Sequence, residues 1–169
     1  ISVYSFFHFC YLRRDMPETI RADVLGMCPG VTRALDLATN SKQSGHDVST
    51  LGAIVHNREV ASHLAGLGIT QKGIDEIAGG DTVVSRSHGL TRGDEQLASA
   101  IGAEVIDGTC PKVTRIHRIA NRAESNGSFL VVIGDPHHAE VRGIVSRCCR
   151  NVVISDPTDI LNSRLDHDD

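Results

Sequence analysis

The stretch Ile106-Asp107-Gly108-Thr109-Cys110-Pro111-Lys112-Val113-Thr114 predicts a β-strand that runs directly into the first turn of a helix. The residues before it favour a strand, Gly108 permits a sharp turn, and Pro111 suits the first position of a helix. Apolar residues then recur with a helical period at Val113, Ile116, Ala120 and Ala123. A cysteine at this junction lies where backbone N–H groups and the helix dipole favour a thiolate. Cys110 is therefore a candidate nucleophile or metal ligand.

A second cysteine has the same sequence context. In Val24-Leu25-Gly26-Met27-Cys28-Pro29-Gly30-Val31, a strand-like segment, a glycine, a cysteine and a proline again precede a predicted helix. Because both cysteines occupy equivalent positions in two βα units, they could converge on one site. The alternative is that each is a small buried hydrophobic side chain, the commoner role of an isolated cysteine. The repeated context favours the shared site.

The composition excludes several classes of function. The chain has 169 residues, enough for one large domain or two small ones with a true core. A net charge of -4, with aromatic residues at 4% and no Trp, gives no basic or stacking surface for nucleic acid. No apolar run is long enough to cross a bilayer. The odd count of 5 cysteines, without regular spacing, favours a reducing compartment and cysteines used for chemistry or packing.

Residues 1–15 differ from the rest of the chain. The segment is apolar and holds five of the six aromatic residues, but its positive charges follow the apolar part, the wrong order for a signal peptide. The sequence also begins with Ile instead of Met. We expect that the natural start is Met16 and that residues 1–15 are upstream translation or an irregular tail. The alternative is an ordered N-terminal strand.

Beyond residue 20 the pattern predicts alternating strands and helices. Strands are predicted over 22–26, 48–55, 68–71, 81–87, 104–108, 128–134 and 151–154. Helices are predicted over 30–44, 57–67, 91–101, 111–126 and 138–148, with a last turn after Pro157. Such alternation indicates an α/β fold with a mostly parallel, helix-covered sheet. The similarity of the two cysteine units favours two α/β lobes that divide near residue 110.

Histidines follow three of the predicted strands. His56, His88 and His138 all lie just beyond a strand's carboxyl end, where ligands bind in folds of this class. Imidazoles beside helix N-termini make an anion site, and a diphosphate is the obvious anion. Glu140 would be available for proton transfer. The alternatives are that the histidines are core or capping residues and that Glu140 only favours the start of a helix.

Four other histidines and two other cysteines are predicted to lie on the surface. They are His46, His63, His117, His167, Cys148 and Cys149. No Gly-x-Gly-x-x-Gly, Walker A, Gly-x-Ser-x-Gly or Cys-x-x-Cys pattern occurs. His138-Ala139-Glu140 resembles the His-x-Glu of zinc deaminases, but the Pro-Cys-x-x-Cys that completes such a site does not follow.

Five segments resemble those of the 4-hydroxy-3-methylbut-2-enyl diphosphate reductase (LytB/IspH) family, in the same order. They are Gly26-Met27-Cys28-Pro29-Gly30-Val31, Val55-His56-Asn57, Ser87-His88-Gly89, Asp107-Gly108-Thr109-Cys110-Pro111-Lys112-Val113 and His138-Ala139-Glu140-Val141-Arg142-Gly143. The family's segments are Gly-Phe-Cys-x-Gly-Val, Val-His-Asn, Ser/Ala-His-Gly-Val, Asp-Ala-Thr-Cys-Pro-x-Val and His-Pro-Glu-Val-x-Gly. The similarity extends over about residues 20–155.

This resemblance implies a reductive dehydroxylation in the methylerythritol phosphate pathway. An allylic diphosphate loses its hydroxyl oxygen as water, which gives isopentenyl and dimethylallyl diphosphates. The implied cofactor is a 4Fe–4S cluster held by three cysteines, with electrons from a ferredoxin- or flavodoxin-type donor. The residues implied are Cys28 and Cys110 as cluster ligands, His56, His88 and His138 for the diphosphate, and Glu140 for the proton. The implied location is the bacterial cytoplasm or a plastid stroma, without nucleic-acid or membrane partners.

The sequence departs from the family in length and at several residues. Family members are about twice as long and fold as three parallel-sheet, three-layer α/β lobes. We expect a tail over 1–19, a complete first lobe over 20–110 and a partial second lobe over 111–169. The third lobe and the third cluster cysteine would be absent. Met27, Ala139 and the segment 135–137 also differ, which favours a fragment or a divergent member.

Two other functions stay open on the sequence alone. One is a non-catalytic paralogue that binds a diphosphate or an iron–sulfur centre without turnover. The other is a zinc-dependent hydrolase whose metal is held by Cys28, Cys110 and a nearby histidine.

Overall fold

The structure is a computed structural model that describes residues 20, 21, 23 and 25–162. Its helices are α1 (Pro29–Gln43), α2 (Arg58–Gly66), α3 (Arg92–Ile101), α4 (Pro111–Ser125), α5 (Ala139–Val145) and α6 (Pro157–Asn162). Its strands are β1 (Val48–Leu51), β2 (Gln71–Lys72), β3 (Thr82–Ser85), β4 (Glu104–Ile106), β5 (Leu130–Ile133) and β6 (Asn151–Ile154). The alternating order predicted from the sequence is confirmed from α1 onward.

The predicted strand over 22–26 is not found among the described residues. Residues 23, 25 and 26 lie outside any strand, and residues 22 and 24 are outside the described part of the chain. The predicted tail over 1–15, Met16 and His167 also lie outside it.

Four parallel strands form the first sheet, in the order β2-β1-β3-β4. Val48 pairs with Thr82 and Leu51 with Ser85, so β1 and β3 run in register through the centre. Because the strands are parallel, the segments after Leu51, Ser85 and β4 all leave the sheet at one edge. These are the segments that carry His56, His88 and Cys110.

Both faces of this sheet are covered, because successive strand residues point to opposite sides. On one face Val84 packs with Ala34 and Ala38 of α1 and with Leu64 of α2. On the other, Val83 packs with Ala98 of α3. The small alanines on α1 let the helix approach the strands closely. The three-layer α/β arrangement expected from the sequence is confirmed here.

The second sheet contains the two parallel strands β5 and β6, with Leu130 opposite Asn151 and Ile133 opposite Ile154. Helix α4 packs against α5, and α5 contacts both strands. The described residues thus contain two sheets, one within 48–106 and one within 130–154. The lobe boundary near residue 110 stays a prediction. In the part of the chain described, no helix has the length and apolar character needed to cross a membrane.

Candidate functional site

The turn before Cys110 is fixed by the neighbouring strand β3. The N–H of Gly108 donates to Ser85 Oγ at 2.9 Å, and the Ser85 hydroxyl donates to Asp107 Oδ1 at 3.4 Å. A Cβ on Gly108 would overlap the carbonyl oxygen of Ser85, so the backbone approach requires glycine. Pro111 then begins α4, with Cys110 as its N-cap residue. The position of this cysteine is therefore set by the close approach of its turn to Ser85, through both the backbone and the hydroxyl of that residue.

Cys28 and Cys110 face the same cavity. Cys28 is the exposed N-cap residue of α1, and Cys110 is partly buried at the start of α4. Both line a cavity of about 400 Å³, together with Gly30, Arg33 and other residues of the two helix starts. A Cβ on Gly30 would lie 2.6 Å from Cys110 Sγ, so glycine at this position makes room for the thiol.

Arg33 holds the two helix starts together. Its guanidinium Nη1 donates to the carbonyl oxygen of Asp107 at 2.9 Å and to that of Thr109 at 3.3 Å. This side chain belongs to α1, whereas its acceptors belong to the turn that precedes α4. The repeated sequence context predicts that the two cysteines converge, whereas no local pattern indicates the role of Arg33.

The two thiols fit an iron–sulfur centre in donor chemistry and only partly in number. Clusters of this kind are held by cysteine thiolates, usually more than two. Among residues 20, 21, 23 and 25–162, no group of three or more His, Cys, Asp or Glu side chains is placed to hold a metal ion. The described residues therefore place two candidate thiol ligands at one cavity. The zinc interpretation, which needs a histidine beside both cysteines, gains no support from this arrangement.

His88 and His138 lie edge to face. Their ring centroids are 5.4 Å apart and their planes are 87° from parallel. Nδ1 of His138 accepts the N–H of Glu140 at 3.2 Å, so His138 is the N-cap of α5. The structure thus brings together two of the three predicted diphosphate residues, although they follow strands of different sheets.

The pKa of His88 is lowered from its ordinary value. Partial burial is the main cause, and the charges of His138, Arg86 and His56 act in the same direction, whereas Glu140 opposes them. Free of ligand, His88 is therefore neutral near pH 7. An anion beside this ring would favour its protonated form, so binding would be coupled to proton uptake.

His56 is exposed beside the N-terminus of α2. The next residue, Asn57, caps that helix, because its side-chain oxygen accepts the N–H groups of Glu59 at 2.9 Å and Val60 at 3.2 Å. This cap fixes the direction in which the chain enters the first turn of α2. The charge of His56 also contributes, as the smallest of the causes, to the lowered pKa of His88.

Ser87 links the cysteine cavity to the histidine pair. Its carbonyl oxygen accepts the N–H of Cys110 at 2.9 Å, and its hydroxyl donates to the carbonyl of Ile54 at 3.3 Å. The adjacent residue in the chain is His88. One buried serine thus connects the turns that carry Cys110, His88 and His56. The sequence signal was a serine directly before a strand-end histidine, and it was not given a role.

Two residues predicted to be on the surface are buried. His117 is 7% exposed and Cys148 is 2% exposed, so both predictions are wrong. His117 lies on the stripe of α4 that faces α5, and Cys148 contacts the carbonyl oxygens of Ser128 and Arg150. Cys149, in contrast, is exposed as predicted. His46 and His63 are exposed too, again as predicted.

The sequence matches the model of the LytB protein family over residues 19–168. The chain belongs to the LytB family. The reductase resemblance of the five segments is therefore confirmed at the level of the family.

Curated relatives of this LytB chain are named 4-hydroxy-3-methylbut-2-enyl diphosphate reductase. The one from Anaeromyxobacter sp. (strain K) is 39% identical over 127 residues, which are 74% of this chain and 46% of the relative. The one from Aquifex aeolicus (strain VF5) is 37% identical over 150 residues, 86% of this chain and 52% of the relative. The chain thus spans about half the length of the curated relatives that it matches.

Solved structures give the same picture of the fold. A structure described as (E)-4-hydroxy-3-methyl-but-2-enyl diphosphate reductase, the terminal enzyme of the non-mevalonate pathway, is similar with a TM-score of 0.73 and 35% identity. The matched region covers 84% of this chain and 52% of the chain in that structure. The structure of the reductase from Plasmodium falciparum is similar with a TM-score of 0.78 at 22% identity, over 85% of this chain and 45% of the Plasmodium chain. At this identity the likeness supports the fold alone.

Proposed function

We propose that this chain supplies the N-terminal part of a 4-hydroxy-3-methylbut-2-enyl diphosphate reductase, an oxidoreductase of isoprenoid biosynthesis. The proposed substrate is (E)-4-hydroxy-3-methylbut-2-enyl diphosphate. Its C–O bond is broken and the substrate is reduced by two electrons and two protons. The products are water and isopentenyl or dimethylallyl diphosphate. Family membership and the names of the curated relatives support this assignment.

One observation carries the proposal: a two-thiol cavity and a histidine pair are joined through a single buried residue. Ser87 is bonded to the backbone of Cys110 and precedes His88. A ligand whose diphosphate lies at the histidines can therefore direct its other end toward the cysteines. A substrate with an anionic head and a short reducible tail has this shape.

Cys28 and Cys110 would supply two ligands of a 4Fe–4S cluster. When bound, the cluster supplies the electrons, which a ferredoxin- or flavodoxin-type protein would deliver to it. The contribution of this chain is to hold both thiols at one cavity. A third thiol would come from residues outside the described part of the protein or from a partner chain.

The histidines and Glu140 would handle the anion and the proton. His56, His88 and His138 would bind the diphosphate, and His88 would take up a proton as the anion arrives, because its pKa is held low in the free protein. The negative charge of Glu140 favours the protonated form of His88. We assign Glu140 to proton transfer toward the substrate.

Anaerobic iron–sulfur reconstitution tests the thiol half of the site. We expect the chain to take up iron and become brown, with visible absorption that is lost in Cys28→Ser and in Cys110→Ser. Cys149→Ser is the matched control, because Cys149 is exposed but lies outside the cavity. A wild-type chain that binds no iron would contradict the cluster assignment. A colourless protein that binds zinc would favour the hydrolase.

Titration with inorganic pyrophosphate tests the anion half. Calorimetry in buffers with different ionisation heats should show proton uptake on binding, and His88→Asn should remove most of that uptake. His63→Asn is the control, because His63 is an exposed histidine on α2. Binding of pyrophosphate and iron without turnover, even with an added electron donor, would favour the non-catalytic paralogue.

A further inference from the structure

His117 is a buried histidine that the proposed chemistry does not use. It lies on α4, is 7% exposed, and its Nε2 has no hydrogen-bond partner among the described residues. A buried polar atom without a partner is uncommon in folded proteins and calls for a reason.

The ring of His117 is wedged between two glycines. A Cβ on Gly89 would lie 2.7 Å from His117 Cε1, and a Cβ on Gly143 would lie 3.2 Å from Nε2. Gly89 also has φ +78°, a left-handed conformation that glycine adopts without strain. The edge formed by Cε1 and Nε2 therefore occupies the space that side chains at these positions would fill.

These two glycines belong to the two histidine segments. Gly89 directly follows His88, and Gly143 lies on α5, the helix that His138 caps. The imidazole of His117 is thus the spacer between the elements whose histidine rings stand 5.4 Å apart. Removing it would let α5 and the His88 turn move toward each other.

The surroundings of His117 keep its ring uncharged. Arg147 is 7% exposed, donates Nη2 to the carbonyl of Leu90 at 3.1 Å and pairs with Glu95 at 2.5 Å. Burial first, and then the charge of Arg147, lower the pKa of His117 to about 4, although Glu95 and Asp107 oppose this. The wedge is therefore a neutral ring at physiological pH.

We propose that His117 is a positioning residue that sets the separation of His88 and His138 by filling the gap between Gly89 and Gly143. The relevance of that separation to diphosphate binding rests on the proposed function. The spacing itself does not, because it is a property of the free chain.

The first readout is the NMR titration of the His88 ring in the free 169-residue chain. His117→Ala should shift its titration midpoint, because the burial of His88 and its distance from His138 both change. Leu64→Ala is the matched control: Leu64 is also 7% exposed, but it lies on α2 in the core of the first sheet. It should lower the melting temperature and leave the His88 midpoint unchanged. An unchanged His88 midpoint in His117→Ala would overturn the proposal.

A double-mutant cycle with Gly143→Ala gives a second, independent decision. The added methyl group presses on His117 Nε2 in the wild-type background, so we expect it to shift the His88 midpoint too. In the His117→Ala background that shift should vanish, because the ring is gone. Equal shifts in both backgrounds would refute the wedge. If His117→Ala fails to fold, Gly143→Ala alone decides, and the absence of any shift refutes the proposal.

Inorganic pyrophosphate affinity separates this inference from the function it rests on. We expect His117→Ala to bind inorganic pyrophosphate about tenfold more weakly than the wild type. This is the effect typical of losing a group that orients a ligand-binding residue. A wild-type chain that does not bind pyrophosphate would overturn the proposed function. The positioning role of His117 would then be decided by the titration midpoint of His88 alone.

Discussion

Gly30→Ala is the substitution that most directly tests whether the two cysteines share a site. The new methyl carbon would lie 2.6 Å from Cys110 Sγ and 2.8 Å from Cys110 Cβ. Unstrained non-bonded heavy atoms stay about 3.5–4.0 Å apart, so the thiol must move by roughly 1 Å. Rotation of the Cys110 side chain away from α1 would take its sulfur out of the cavity that it shares with Cys28.

The expected change in stability is small because two effects of Gly30→Ala oppose each other. Overpacking against Cys110 costs about 1–3 kcal/mol, whereas alanine favours a helix over glycine by about 1 kcal/mol. Their sum is a loss of about 0–2 kcal/mol in the free energy of unfolding. Urea unfolding followed by circular dichroism measures it. The fold should therefore survive the substitution.

The effect on the thiol pair should be much larger than the effect on the fold. Anaerobic titration with Cd²⁺, followed by the ultraviolet thiolate-to-metal band, reports both sulfurs binding one ion. We expect Gly30→Ala to weaken Cd²⁺ binding by about tenfold or more. Gly66→Ala is the control, since a Cβ at this helical position meets nothing within 4 Å. A folded Gly30→Ala protein that binds Cd²⁺ as tightly as wild type would refute the shared cavity.

Three further substitutions or conditions have defined outcomes. Acidification from pH 6.5 to pH 4 should lower the free energy of unfolding of the wild type by up to about 3 kcal/mol through His117, because His117 takes up a proton more readily in the unfolded chain than in the folded one. A pH series of urea unfolding should show that His117→Asn lacks this component. Gly108→Ala should lower the free energy of unfolding by at least about 3 kcal/mol, because the methyl overlaps the Ser85 carbonyl; a thermal melt within a few degrees of wild type would contradict this. Asn57→Ala should cost about 1 kcal/mol, because Glu59 N–H loses its cap, whereas Asn57→Asp should retain most of the stability in the same melts.

Local sequence signals predicted the order of elements well but not the ends of the strands. Prolines after each cysteine and Asn57 before α2 mark helix starts through contacts within a few residues. The strand predicted over 48–55 ends at Leu51, although Ile54 is only 2% exposed. Its apolar side chain is buried by packing from a turn, without strand pairing. Hydrophobicity alone cannot distinguish these two routes to burial.

The errors on α4 have a physical cause. Its apolar stripe was expected to include Ile116, which is 37% exposed, whereas the buried stripe is Val113, His117 and Ala120. That stripe has the i, i+4, i+7 spacing of one helix face, so the spacing itself could have placed His117 inside. His117 was expected on the surface because it is polar, and no local pattern shows that Gly89 and Gly143 leave space for its ring.

The contact of His88 with His138 could not be derived from local sequence either. The two residues are brought together by α4 packing on α5 and by bonds such as Arg92 N–H to Ser146 Oγ at 3.0 Å. Strand-end position predicts only that both residues face a ligand-binding edge. Their separation depends on how two sheets sit together, which no short pattern encodes.

The hydrogen bond from the Cys110 N–H to the Ser87 carbonyl has a consequence for how this protein can diverge. Both atoms belong to the main chain, so any residue at 87 can accept and any residue except proline at 110 can donate. The chemical groups offered by the two turns can therefore be exchanged by mutation while the distance between the turns is inherited unchanged. A descendant that lost the cysteine would still present a cleft of the same dimensions to whatever ligand came next.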